Sequence, residues 1–200
     1  MTHPAGRIVH VRDFYDKYVD FRTAIGNNSN YPDDTSGYSK GYLTGSIITV
    51  LGGSTPIWRA YYYDIKSRVT KTVENNLLSG FDITSTVYSF TDKPATVTHT
   101  HTASGKTTRT EVYTYTYDHA DRVSKVEHTL NGTKVTLADN TYDNLGRLSG
   151  KSLHGSATNK LTYAYNIRSW LTGITGTKFN QNLYYADGNN STKCSVISVV

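Results

Sequence analysis

The chain has 200 residues, a net charge of +5 and one cysteine, Cys194. These exclude an intramolecular disulfide and a cysteine-based zinc centre, and no apolar run is long enough for a membrane-spanning helix. Thr (30 residues) and Tyr (17) dominate, while Leu, Ile, Val and Phe together supply about a fifth of the chain, so the composition favours pleated strands whose tyrosines carry much of the buried area.

In chain order, residues 1–40 read as an irregular lead-in. Met1 to His10 lacks the apolar run of a secretory signal. Asp13 to Ala24 is ambiguous: Phe14, Tyr18 and Phe21 have helical spacing, while Tyr15, Val19 and Phe21 also read as strand. No amphipathic helix is predicted. A turn is expected at Asn30-Tyr31-Pro32-Asp33-Asp34.

Residues 41–187 read as consecutive β-hairpins built on a repeat. The copies are Tyr61-x-Tyr63-Asp64-x-x-Ser67-Arg68-Val69, Tyr115-x-Tyr117-Asp118-x-x-Asp121-Arg122-Val123, Tyr142-Asp143-x-x-Gly146-Arg147-Leu148 and Tyr163-x-Tyr165-Asn166-x-x-Ser169-Trp170-Leu171. A degenerate copy, Tyr88-x-Phe90-Thr91, places its anchor at Phe90, and Tyr185-Ala186-Asp187-Gly188 reads as a decayed sixth.

Each unit makes sense as strand, turn and return strand. The Asp after the anchor can bond backbone N–H groups two residues on. Gly146 suits a positive φ. Arg68, Arg122 and Arg147 can lie over neighbouring tyrosine rings. Asn131-Gly132 predicts a two-residue hairpin joining Arg122–Leu130 to Thr133–Thr141. Residues 188–200 read as a non-repeat tail.

The unit Tyr142-Asp143-x-x-Gly146-Arg147-Leu148 resembles the YD repeat of Rhs (rearrangement hotspot) proteins. Gly41-Tyr42-Leu43-Thr44-Gly45 and Tyr184-Tyr185 look like Rhs proteins of Bacteroides-type bacteria. The resemblance implies an all-β fold, a sheet of antiparallel hairpins spiralling into a hollow shell that encloses a C-terminal toxin domain. The implied partners are the remainder of that shell and the enclosed toxin. The implied location is secreted or envelope-associated, as part of a larger protein. The family's self-cleavage motif surrounds an Asp-Pro pair, and none of the four prolines here follows an Asp. Neither self-proteolysis nor toxin activity carries over, and the chain reads as a fragment or truncated member. Open sheet edges imply self-association.

No residue is predicted to be catalytic, cofactor-binding or metal-ligating, no cofactor is expected, and the chain is read as non-enzymatic. His99 and His101 share one strand face, where Glu111 and Glu127 could add carboxylates, but a metal centre needs three or four converging ligands. Asp64, Asp118 and Asp143 recur with the turn, whereas a catalytic acid–base pair occurs once per site. Gly52-Gly53-Ser54 lacks the Lys-Ser/Thr ending of a phosphate loop. Lys and Arg are dispersed, so a nucleic-acid partner is not expected. A cell-surface adhesion or carbohydrate-binding β-module is the alternative.

Overall fold

The computed structural model describes residues 10–49, 55–185 and 196–199. Gly52-Gly53-Ser54, Asp187, Gly188 and Cys194 therefore lie outside the described residues. Among the described residues the fold is all-β apart from one short helix and a 3-10 turn, and the chain divides into two compact units, residues 1–112 and 113–200.

The first unit contains β1 (Val11–Tyr15), α1 (Tyr18–Ala24), β2 (Leu43–Thr49), β3 (Pro56–Tyr63), β4 (Val69–Asn75), β5 (Phe81–Tyr88) and β6 (Pro94–His101). Each strand pairs antiparallel with the next in sequence. β7 (Arg109–Tyr117) carries the boundary between the units. The second unit continues with β8 (Val123–Leu130), β9 (Thr133–Tyr142), β10 (Leu148–Leu153), β11 (Lys160–Tyr165), β12 (Leu171–Gly176), β13 (Phe179–Asn182) and β14 (Val196–Val199). From β8 to β14 each strand again pairs antiparallel with its successor. Asn131 and Gly132 close the β8–β9 hairpin with φ of 47° and 90°, the two positive values that a type I′ turn requires.

Strand alternation sorts the first unit into an apolar and a polar face. Phe14, Gly45, Ala60, Val73 and Ile83 face one another across β1 to β5. The helix lies on this row. Phe21 is fully buried, and a Cβ on Gly45 would fall 2.3 Å from its ring. Small residues at 45 and 60 thus make room for an aromatic from above. Phe21 meets Phe14 and Tyr31 edge-on at 5.6 and 5.5 Å, and Tyr18 stacks on Tyr62 at 5.0 Å.

The buried tyrosines keep their hydroxyls paired. Tyr18 donates to the Tyr61 carbonyl at 2.7 Å, Tyr31 to Trp58 at 2.8 Å and Tyr62 to Pro32 at 3.0 Å. This is how a tyrosine-rich sequence buries phenol rings without orphaning their hydroxyls. Burial pushes all three phenols above their ordinary range.

Residues 1–40 were expected to be an irregular lead-in without a helix. The structure corrects this: residues 11–15 are a strand and residues 18–24 a helix. The helical spacing of Tyr18 and Phe21 prevails because that face finds an apolar row to cover. The strand reading of Tyr15 also holds, one turn earlier.

Candidate functional site

The repeated Tyr-Asp turn is where sequence pattern and geometry meet. In the β3–β4 turn, Asp64 Oδ1 accepts from the Lys66 and Arg68 amides at 2.9 and 3.0 Å. Its Oδ2 accepts from Arg68 Nε at 2.8 Å. The Asp64 amide donates to the Arg68 carbonyl, and the Ser67 amide to the Asp64 carbonyl.

The same atoms recur in the second unit. Asp118 Oδ1 accepts from Ala120 and Arg122, Asp143 Oδ1 from Leu145 and Arg147, and Asn166 Oδ1 from Arg168 and Trp170, all at 2.9–3.0 Å. Asp118 and Asp143 also hold Arg122 Nε and Arg147 Nε at 2.7 Å. Asn166 has no arginine at that place; Trp170 stands there.

The turn forces its fourth residue into the left-handed region. Ser67, Asp121, Gly146 and Ser169 have φ of 60°, 61°, 83° and 61°. Only Gly146 does so without a Cβ penalty. The carboxylate bonds offset that cost elsewhere. The Arg122 guanidinium and backbone amide hold the Asp118 carboxyl at about 2. The Arg68 side chain lowers Asp64, and the Arg147 amide and guanidinium lower Asp143.

Within each unit, anchor tyrosines tie a hairpin to the turn before it. Tyr88 donates to the Val69 carbonyl at 2.8 Å while the Arg68 guanidinium lies 4.3 Å from the Tyr88 ring centre. Tyr142 repeats this with Val123 (2.9 Å) and Arg122 (4.3 Å), and Tyr165 with Leu148 (2.9 Å) and Arg147 (4.7 Å). Tyr63 bonds the Leu43 carbonyl and stacks on Tyr42 at 5.2 Å. Tyr185 bonds the Leu171 carbonyl and packs against Trp170 at 5.0 Å. At these five tyrosines the pattern is the same: the ring rests on the last turn residue of the preceding hairpin, and the hydroxyl bonds the next residue's carbonyl. The arginine of one turn also reaches the fourth position of the next: Arg68 to Asp92 at 2.5 Å, and Arg147 to Ser169 Oγ at 3.4 Å.

Two turns sit differently from the sequence expectation. The degenerate copy was anchored on Phe90, but Phe90 is 96% exposed at the turn tip. Tyr88 is the anchor, with the strand irregularity immediately before it, as before Tyr63 and Tyr165. Ser89 replaces the aspartate and accepts from the Lys93 amide at 3.2 Å through its hydroxyl.

The other is Tyr15-Asp16, which the sequence reading missed. Tyr15 faces Leu43 after the same irregularity. The Asp16 amide donates to the Tyr42 carbonyl at 3.1 Å, and Asp16 Oδ1 accepts from the Gly41 amide at 2.6 Å. This is a Tyr-Asp turn in which residues 17–41 stand where residues 65–67 stand later. The helix that builds the core is thus an insertion into the first turn. A related Asx turn also closes β4 to β5, where Asn76 Oδ1 accepts from Leu78 and Gly80 at 3.1 and 3.0 Å.

On the polar face of the first unit, Arg59, Glu74, Asp82 and His101 form a cross-strand row. His101 Nδ1 lies 2.5 Å from Asp82 Oδ1, and His99 Nε2 lies 3.7 Å from the same oxygen. Burial pushes Asp82 up, but bonds from His101 and Asn76 and the two imidazoles outweigh it, and its carboxyl sits low. The carboxylate beside the histidine pair is therefore Asp82. Glu111 pairs with Arg109, and Glu127 with Lys125 and Lys134. Among the described residues, no group of three such side chains is placed to hold a metal ion.

No protein-family model and no curated protein matches the chain. A chain in the crystal structure of TcdB2-TccC3-Cdc42 is similar at a TM-score of 0.35 and 13% identity, over 73% of this chain and 10% of that one. The protein thus spans about a tenth of the length of the chain it matches. Among the described residues, no helix is long and apolar enough to cross a membrane.

Proposed function

We propose that the segment is non-catalytic wall: part of a YD-repeat β-shell of the Rhs kind that encloses a toxin domain lying outside this sequence. The observation that carries the reading is the tyrosine link. The same hydroxyl-to-carbonyl bond recurs at Tyr63, Tyr88, Tyr142, Tyr165 and Tyr185. A chemical site places unlike groups in one unique environment. Here like groups repeat in like environments, with each aspartate committed to its own turn. That arrangement extends a sheet hairpin by hairpin.

The location that goes with this reading is secreted or envelope-associated, within a larger polypeptide. The test is protease protection of the native polypeptide, captured from its source cells with an antibody against this segment. The reading expects a large polypeptide with an internal domain that resists protease until the wall is denatured. An internal domain digested at the same rate as the exposed turns overturns it.

A second reading, adhesion or carbohydrate binding, draws on Trp170, Tyr184 and Tyr185, which are exposed at 44%, 48% and 41%. Saturable glycan-array binding abolished by Trp170→Ala would favour it.

A further inference from the structure

The tyrosine rule makes Tyr15 conspicuous. Tyr15 has the backbone register of an anchor and is followed by an aspartate that closes a turn. Tyr63, Tyr88, Tyr142, Tyr165 and Tyr185 each bond a preceding carbonyl. Tyr15 is 56% exposed, and among the described residues neither its ring nor its hydroxyl is met by such a turn. Among the described residues its strand, β1, pairs only with β2, and none of them adds a strand to its other edge.

A groove of about 640 Å³ lies beside this strand, bounded by β1 and α1, with Asp13, Tyr15 and Asp20 among its walls. Arg12 also lines it, but its guanidinium rests over Phe14 at 4.7 Å. Two carboxylates and an uncovered phenol suit an incoming guanidinium. An open strand edge suits an incoming strand.

We propose that this edge is a docking site for one more Tyr-Asp hairpin of the same shell. The occupant is a strand opening on Arg-Val or Arg-Leu. Its arginine would cover the Tyr15 ring, its next carbonyl would accept from the Tyr15 hydroxyl, and its backbone would pair antiparallel with β1. The argument for this occupant is continuity. Arg68-Val69, Arg122-Val123 and Arg147-Leu148 make this contact to Tyr88, Tyr142 and Tyr165. The proposal rests on reading the segment as wall, since a wall continues past each strand.

The test uses the full 200-residue chain and a fluorescein-labelled peptide with the sequence of residues 142–153, followed by anisotropy. The expected result is saturable binding that weakens at least tenfold with Tyr15→Ala. A peptide carrying Arg147→Ala should weaken it similarly while leaving the protein untouched. Tyr15→Phe should fall between, since it keeps the ring and loses the hydroxyl. No binding, or binding indifferent to both changes, overturns the proposal. A dimer of the chain that Tyr15→Ala splits also overturns it, in favour of a second copy. Cargo protection is a separate readout: a chain that binds the peptide but protects no cargo sinks the enclosure reading and leaves the docking site standing.

Discussion

Tyr165 offers the cleanest dissection of the link. Tyr165→Phe removes one hydrogen bond, to the Leu148 carbonyl at 2.9 Å. A typical intramolecular bond contributes about 1 kcal/mol net. Tyr165 is half-buried, so water can partly re-solvate the carbonyl, and the loss should be about 0.5–1 kcal/mol. Tyr165→Ala removes the ring as well. The Arg147 contact at 4.7 Å adds about 0.5–1 kcal/mol. Half-burial of an aromatic ring adds about 1–1.5 kcal/mol, for a total of about 2–3.5 kcal/mol. Urea denaturation reads these losses as midpoint shifts at constant slope. A double-mutant cycle with Arg147→Ala should return a coupling of about 0.5–1 kcal/mol. An unchanged midpoint for Tyr165→Phe, or no coupling in the cycle, would refute the link as described.

Ser67→Gly should stabilise the chain by up to about 1 kcal/mol, because Ser67 occupies the left-handed position that Gly146 takes without strain; a thermal melt checks the sign. Phe21→Ala should cost about 3–5 kcal/mol, the usual loss for an aromatic deleted from a packed core, and denaturant unfolding that finds under 1 kcal/mol would place the helix outside the core. The aspartate turns should make stability fall in acid. Asp64, Asp118 and Asp143 have folded-state values below their unfolded ones. Their contribution is complete above the unfolded value of about 4. It is lost as pH drops towards about 2, the folded value of Asp118. Urea midpoints from pH 6 to pH 2 should decline over that window, and Asp118→Asn should flatten the decline; an equal decline in that variant would contradict the assignment.

The turns at 64–68, 118–122, 143–147 and 166–170 are readable in the sequence because every determinant lies within five residues. The aspartate or asparagine, the left-handed residue and the return-strand residue keep one spacing. The turn at 89–93 defeats that reading for a chemical reason. A serine hydroxyl does part of the carboxylate's work, and the aromatic at 90 mimics an anchor while pointing into solvent. The Tyr15-Asp16 turn is hidden for a topological one. Its closing partners, Gly41 and Tyr42, lie across the insertion rather than four residues on, so no local window contains both halves. The dipeptides Tyr15-Asp16 and Tyr42-Leu43 were the available signal. Helix α1 was ambiguous because Phe14, Tyr15, Tyr18, Val19 and Phe21 satisfy both periods, and only the small residues at 45 and 60 make room for the helix.

Hydrogen exchange of the intact chain tests the central claim most directly. If the tyrosine links join consecutive hairpins, Tyr165→Phe should speed exchange in β10 (Leu148–Leu153) as well as in β11 (Lys160–Tyr165), since the lost bond runs from one to the other's first residue. Faster exchange confined to the β11–β12 hairpin, with β10 unchanged, would contradict a linked wall and leave a row of independent hairpins.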